Sequence, residues 1–323
     1  MVKKCLPMNR SDVYVGIDTS AYTTSVAVVS GSDILIDNRK MLAVPQGARG
    51  LRQSDAVFAH IKNFPELFRN IFIEQGNIKA VAYSEKPCPK EGSYMPVFCV
   101  GASHAAAVSA AAGAGIYALT HQHGHIYAGF FGNTIDDGLY GAFHVSGGTL
   151  DLLRVCVQNG IVSDIRPLGG SLDITCGQLI DRVGVAAGMA FPSGAEMEKL
   201  YKPGAKRLAV HVDGLSANLS GAETQAQRRL QNGEAAALVC SSAIDCAAQT
   251  LTKLLVNAAK LCNLKSFLFT GGVICNTIIR ENIQNTCDKN GLAAVFAKKH
   301  LCSDNACGLA LAAQRLHGQE NRV

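Results

Sequence analysis

The sequence predicts an α/β protein built as two similar halves. Each half opens with three short β-rich runs separated by turns of a few residues, and each continues with helical and strand-like segments. The length, 323 residues at 48% hydrophobic and 17% charged, supplies enough apolar side chains for two domains of ordinary size and excludes a disordered chain.

In the first half, "VYVGIDTS" (Val13 to Ser20), "TTSVAVVS" (Thr23 to Ser30) and "DILIDNR" read as an antiparallel meander. "LRQSDAVFAHIKNFPELFRNIFIEQ" (Leu51 to Gln75) has helical spacing, interrupted at Pro65. "IKAVAYS" (Ile78 to Ser84) reads as a buried strand and "EKPCPKEGSYMP" as a loop, by its Pro and Gly content. An Ala-rich helix is expected from about Val100 to Ala112, then a strand from Ile116 to Leu119. In the second half, "GLYGAFHV" and "TLDLLRVCVQNG" are strands joined at Ser146-Gly147-Gly148, and "IVSDIRPLGG" continues the meander. "LDITCGQLIDRVGVAAGM" is helical, and a long helix covers roughly Glu234 to Cys262. "SFLFTGG" is a strand into a Gly-Gly turn, followed by the helix "CNTIIRENIQNTC", the strand "AAVFAK" and a closing helix, "SDNACGLALAAQRL".

The net charge of +5 is compatible with a polyanionic partner without demanding one. "MVKK" and "AKKH" (Ala297 to His300) are small basic patches that read as solvated surface. The twelve cysteines form no CxxC pair and lie in apolar segments, as Cys99, Cys240, Cys246 and Cys262 show, so a reduced, cytosolic protein is expected. Cys302 and Cys307 have the wrong spacing for a zinc knuckle. "MVKKCLPMNRSD" lacks the apolar core of a signal peptide. "VGASHAAAVSAAAGAGIYALT" comes nearest to a membrane span, but His104 and its Ser and Gly content favour a buried soluble helix and strand. No membrane partner is expected.

"HQHGH" places three imidazoles in five residues. His121 and His125, four apart, would share one face of a helix about one turn apart, a spacing that suits two nitrogen ligands on one metal ion. The same spacing occurs in helices that bind nothing. His123 points away from that face, as a surface residue, a supporting donor or, after local distortion, a fourth ligand. "SDNA" before the last helix is either an N-cap, with Ser303 or Asp304 accepting backbone N–H groups, or the source of a third ligand. Three Gly-containing turns, Gly16-Ile17-Asp18-Thr19-Ser20, Ser146-Gly147-Gly148-Thr149 and Gly271-Gly272-Val273, together suggest a nucleotide held in a cleft.

The ordered set "GIDTS", "HQHGH", "VSGG", "GQLIDRVGVAAGMAFPSGAEMEKL", "FTGGVICN" and "CSDNA" resembles the glycoprotease family, historically O-sialoglycoprotein endopeptidases and now understood as tRNA threonylcarbamoyladenosine synthases. The resemblance covers nearly the whole chain. It implies the two-lobed fold of actin, sugar kinases and the heat-shock 70 ATPase, with residues 1–125 and 303–323 in one lobe and 126–302 in the other. It implies transfer of a threonylcarbamoyl group from threonylcarbamoyl-adenylate to the tRNA adenosine beside the anticodon. It also implies one divalent metal, iron or zinc, on His121, His125 and Asp304. For the adenine nucleotide or acyl-adenylate it implies Val145, Ser146, Gly147, Gly148 and Thr149 as the phosphate loop. Asp181 would accept ribose hydroxyls, Gly194 would lie along the nucleoside, and Asn276 after Gly271-Gly272 would contact the nucleotide. Partners implied are tRNA and a second subunit, as a homodimer or a heterodimer with a smaller paralogue of the same fold.

The chain departs from the family pattern at several points. His123 stands for a Glu, Thr149 for a His, Gln178 for a Glu and Arg182 for a Lys; Ala21-Tyr22-Thr23 replaces a Cys and two acids, and "EKPCPKEGS" replaces a Gly-Pro-Gly loop. These changes give the alternative reading of a nucleotide- and metal-binding paralogue that acts as a partner or regulator. A metalloprotease is disfavoured, because the zinc-protease motif needs Glu directly after the first His and this chain has Gln122. A kinase of the same fold lacks an evident acidic base.

Overall fold

The computed structural model describes residues 11–20, 22–43, 51–69, 71, 77–134 and 136–321. "MVKK", Ala21 and the end of the helix expected to reach Gln75 lie outside the described residues. The chain divides into two compact units, Met1–Thr134 with Asp304–Val323, and Ile135–Ser303.

The first unit opens with the antiparallel strands β1 (Asp12–Thr19), β2 (Thr23–Ser30) and β3 (Asp33–Met41). Then come α1 (Gln53–Phe68), β4 (Asn77–Lys86), α2 (Phe98–Ala112), β5 (Gly115–Thr120) and α3 (His121–Phe130). The sheet order is β3-β2-β1-β4-β5, with β4 parallel to β1 and β5 parallel to β4. Its core gathers Val15, Ile17, Val26, Val28, Phe64 and Val81. Pro65 lies inside α1 instead of interrupting it. An internal proline costs about 3 kcal/mol, but Phe64 and Leu67 on either side are buried, each worth roughly 1.5–3 kcal/mol. The Ala-rich α2 buries one face only (Phe98, Val100, Gly101, Ala105, Ser109), so it is a surface helix, not a buried one. A boundary after residue 125 would fall within α3, which the first unit keeps whole.

The second unit repeats the pattern. β6 (Gly138–Val145), β7 (Leu150–Gln158) and β8 (Ile161–Ser171) form the meander. They are followed by α4 (Cys176–Ala186), α5 (Gly194–Lys199), β9 (His211–Asp213), β10 (Ser216–Asn218), α6 (Ser220–Gln231) and α7 (Ala236–Leu261). β11 (Ser266–Thr270), a 3-10 turn (Gly272–Cys275), α8 (Thr277–Asn290) and β12 (Ala293–Phe296) complete it. The sheet order β12-β11-β6-β7-β8-β10-β9 contains the same five-strand arrangement as the first unit, extended by the short β9–β10 hairpin. α6 has no side-chain cap of its own at Leu219. Asp173, from the loop after β8, supplies one by accepting from the Leu219 and Ser220 amides at 2.8 and 3.0 Å.

The chain returns to the first unit in α9 (Cys307–Glu320). Its first turn is capped by Asn305, whose Oδ1 accepts from the Cys307 and Gly308 amides at 3.0 and 3.4 Å. The Asp304 carboxylate, one of the expected caps, instead meets Ser20 and His125. α9 packs so closely on β1 that a Cβ at Gly16 would lie 2.0 Å from the Ala306 carbonyl oxygen. Among the described residues no helix is long and apolar enough to cross a membrane.

Candidate metal centre

α3 starts where β5 ends. Thr120 caps it: its Oγ1 accepts from the His123 amide at 3.2 Å, and His123 Nδ1 closes the box 2.7 Å from Thr120 Oγ1 and 3.3 Å from the Thr120 amide. His123 thus occupies the position where Glu or Gln usually reaches back. Burial pushes its imidazole down to about 4, so Nδ1 remains an acceptor. It is a helix-start residue and faces away from the other two histidines.

His121 and His125 do share a face. Their Nε2 atoms are 3.1 Å apart, and Asp304 Oδ1 lies 3.3 Å from His125 Nε2 and 3.7 Å from His121 Nε2. One ligand atom from each of the three residues falls within 4.8 Å of the others. Donors that share an ion at about 2.0–2.2 Å sit roughly 3.0–3.5 Å from one another. The triad fits this spacing after small adjustments of the side chains.

Two members of the triad, His121 and Asp304, are each held by a further group. His121 Nδ1 lies 3.0 Å from Asp18 Oδ1, which also accepts from Ser84 Oγ at 2.6 Å. This fixes the ring so that Nε2 faces Asp304. Ser20 Oγ donates to Asp304 Oδ2 at 2.9 Å, and Arg39 Nη1 donates to the Asp304 carbonyl at 3.3 Å. Burial would lower the His121 pKa, but the Asp18 and Asp304 carboxylates overcome it and raise it to about 9. Burial and the charge of His121 lower the His125 pKa below the usual imidazole value. Burial disfavours charge on Asp304 too, yet the hydrogen bond from His125 and the charge of His121 hold it well below the usual carboxylate range. The fully buried Asp18 keeps Oδ2 without a hydrogen-bond partner. Two imidazole nitrogens and a carboxylate oxygen converging on one point suit a divalent cation.

The second unit gathers the other candidate residues. Ser146-Gly147-Gly148-Thr149 is the β6–β7 turn, closed by the Ser146 amide donating to the Thr149 carbonyl at 2.9 Å. Space beside Gly147 and Gly148 is open. The N-terminus of α4 abuts this turn: a Cβ at Gly177 would lie 2.4 Å from the Ser146 carbonyl oxygen, and Thr175 Oγ1 donates to the Gly147 carbonyl at 2.9 Å. Gly271, at φ 99°, crosses the backbone of Val145, where a side chain would collide at 2.3 Å. Asp181, on α4, accepts from the Ser193 amide at 2.8 Å and so holds the residue before Gly194. Asn276 caps α8 by accepting from the Ile279 amide at 3.1 Å. Val145 to Thr149, Asp181, Gly194, Gly271, Gly272 and Asn276 thus belong to one connected group of turns and helix starts in this unit.

The profile of tRNA N6-adenosine threonylcarbamoyltransferases matches residues 36–311. The chain belongs to the tRNA N6-adenosine threonylcarbamoyltransferase family. The transferase of Thermosipho africanus is 25% identical over 94% of both chains, and that of Methanopyrus kandleri 26% identical over 92% of this chain and 86% of its own. Among solved structures, nucleotide-bound full-length HypF superposes with a TM-score of 0.61 at 10% identity, covering 96% of this chain and 46% of that one. The ADPNP-bound activator of 2-hydroxyisocaproyl-CoA dehydratase from Clostridium difficile gives 0.54 at 11% identity, covering 96% and 97%. A glucokinase from Streptomyces griseus gives 0.52 at 12% identity, covering 94% and 98%. The fold is that of the actin-like ATPases and sugar kinases.

Within a threonylcarbamoyltransferase-family chain, one expectation needs correction. Gly16-Ile17-Asp18-Thr19 is not a turn but the body of β1, and Gly16 is there for the close approach of α9. The overlooked residue is Asp18. A carboxylate at the end of an otherwise apolar buried strand requires a partner, and that partner is His121.

Proposed function

We propose that this protein transfers the threonylcarbamoyl group from threonylcarbamoyl-adenylate to the exocyclic amine of the tRNA adenosine beside the anticodon. The observation that carries the reading is the convergence of His121, His125 and Asp304 within 4.8 Å in a chain of this family. His121, His125 and Asp304 would hold one divalent ion, iron or zinc, which when bound supplies Lewis-acid polarisation and a fixed template for the acyl-phosphate end of the substrate. Asp18 orients His121 and Ser20 orients Asp304. The Gly147, Gly148 and Thr149 amides of the turn that begins at Ser146, beside the start of α4, would receive phosphate oxygens, and Val145 and Gly271 set the spacing of that turn. Asp181 retains an oxygen for ribose hydroxyls, and Gly194, Gly272 and Asn276 would flank the nucleoside. The reading places the protein in the cytoplasm, with tRNA as acceptor and a second copy or a same-fold paralogue as a subunit.

The test is mass spectrometry of tRNA nucleosides from cells depleted of their own synthase and supplied with this gene or its H121A and D304A variants. Restored threonylcarbamoyladenosine with the parent chain only is the expected result. No restoration by a soluble parent chain supplied with the candidate partners, or full restoration by either variant, would overturn the assignment.

A further inference from the structure

Two of the elements that flank the nucleoside slot are tied together by one carboxylate. α5 has six residues, and Met197 is the one it buries. So short a helix has too little apolar area to fix its own place. Polar contacts at its two ends decide it. At the start, Ser193 donates its amide to Asp181 Oδ1 at 2.8 Å and its hydroxyl to the Asp181 carbonyl at 3.0 Å. Near the other end, Glu198 Oε1 accepts from the Thr277 amide at 2.8 Å and also from the Thr277 hydroxyl. Thr277 is the first residue of α8, directly after its cap Asn276. Glu198 thus takes the first amide of α8, while Asn276 takes that of Ile279. A carboxylate suits this place, because a helix start presents unpaired donors and partial positive charge. Asp181, Gly194 and Asn276 therefore stand along one connected chain, which runs from Asp181 through Ser193, α5 and Glu198 to Thr277, all within the second unit.

We propose that Glu198 is a positioning residue for the adenine nucleotide: it clamps α5 to the start of α8 and so sets the spacing of Gly194 and Asn276 on either side of the nucleoside. The inference rests on the reading of that slot given above. Glu198 acts through Thr277 and Asn276, not by contact with the ligand. Glu196, two residues earlier, does not replace it, since it is exposed and lies on another face of α5. Without the Glu198 carboxylate, the Thr277 amide and hydroxyl lose this acceptor, and α5 is held by Ser193 and Met197. The turn from Ser146 to Thr149 is anchored separately, by Thr175 Oγ1 on the Gly147 carbonyl and by the close approach of Gly177. Loss of Glu198 should therefore loosen the grip on the nucleoside and leave the grip on phosphate unchanged.

The experiment measures binding of ATP and, separately, of inorganic pyrophosphate to the purified full chain by titration calorimetry. It compares the parent with E198A, E198Q and E196A and takes a thermal melt of each. E198A should bind ATP about tenfold more weakly or worse, the scale on which a bond to a charged acceptor acts, with pyrophosphate binding unchanged. E198Q keeps an oxygen that can accept both Thr277 donors and should stay within about threefold of the parent. E196A should match the parent for both probes. Should E198A melt below the assay temperature, E198D carries the test with the same expected loss, because it keeps the charge but shortens the reach by a methylene. Parent-like ATP binding by folded E198A or E198D, or equal weakening of ATP and pyrophosphate, would overturn the proposal while leaving the nucleotide site in place. A parent chain that binds no ATP would overturn the nucleotide reading itself, and this inference with it.

Discussion

Replacing Asp18 by Asn tests whether the metal triad depends on a residue that binds no metal. Asp18 is fully buried, and its Oδ1 serves both Ser84 Oγ at 2.6 Å and His121 Nδ1 at 3.0 Å. Asn preserves the volume and one acceptor oxygen but removes the charge. A hydrogen bond to a charged acceptor is worth about 1.5–3 kcal/mol against about 1 for a neutral one, so D18N should weaken the orientation of His121 by roughly 1–2 kcal/mol. That corresponds to about a tenfold loss of metal affinity, the scale seen for supporting residues of metal-bound histidines. The assay is competition of the purified protein against a chromophoric chelator for zinc or ferrous iron. Circular dichroism shows whether the fold is retained. Unchanged affinity in a folded D18N protein would refute the reasoning, because Nε2 would then find the ion without help from Nδ1.

Other expectations follow from the same geometry. Gly16→Ala should be destabilising by about 1–3 kcal/mol or more, since its Cβ meets the Ala306 oxygen and the Ala310 nitrogen, backbone atoms at 2.0 and 2.6 Å; a thermal melt reads this, and an unchanged midpoint would contradict the packing. Asp173→Ala should cost about 1 kcal/mol, the low end for a helix cap because the side chain is exposed. Burial raises the Asp173 pKa, but bonds from Ser220, Leu219 and Ile174 bring it from 3.8 down to about 2. Its contribution is therefore complete above about pH 4 and is lost as pH falls toward 2. In acid titration of stability, the parent should lose its advantage over D173A across that window. Asn305→Ala should unwind the first turn of α9 by about 1 kcal/mol and, through Asp304, reduce metal affinity in the chelator assay; a loss of stability with metal affinity intact would separate cap from ligand.

The halves were legible because strand alternation and turn residues are local signals. β1, β2, β3 and their counterparts β6, β7 and β8 follow from runs such as Thr23 to Ser30, whose apolar and small residues suit a buried sheet. What escaped was decided by contacts distant in sequence. α6 carries only Ala222, Ala226 and Arg229 inward, too little periodicity to announce a helix, and its start depends on Asp173. Pro65 reads as an interruption until the packing of Phe64 and Leu67 is known. The site divides in the same way. His121 and His125 were visible from their spacing, whereas Asp18 and Ser20 were hidden in a stretch whose glycine suggested a turn. Asp304 was ambiguous between cap and ligand, and Asn305 resolves it by taking the cap.

The departures at two helix starts bear on whether the site still works. Both fall at the third residue of a capping box. His123 closes the box of α3 through Nδ1, and Gln178 closes that of α4, its Oε1 accepting from the Thr175 amide at 3.1 Å while Thr175 Oγ1 accepts from the Gln178 amide at 3.0 Å. Each needs only an acceptor of the right reach, which a neutral imidazole or an amide provides as a carboxylate does. Loss of the acid at these positions therefore leaves the helix starts formed, and with them the rows that present His121, His125 and Asp181. If those changes had removed chemistry, restoring Glu at both positions would raise transfer. The capping account expects H123E and Q178E to leave the rate per folded molecule within about a factor of two, since each exchanges one acceptor for another worth only about 1 kcal/mol. A large gain in either would mean that a carboxylate at that helix start acts on the substrate and that this chain has given it up.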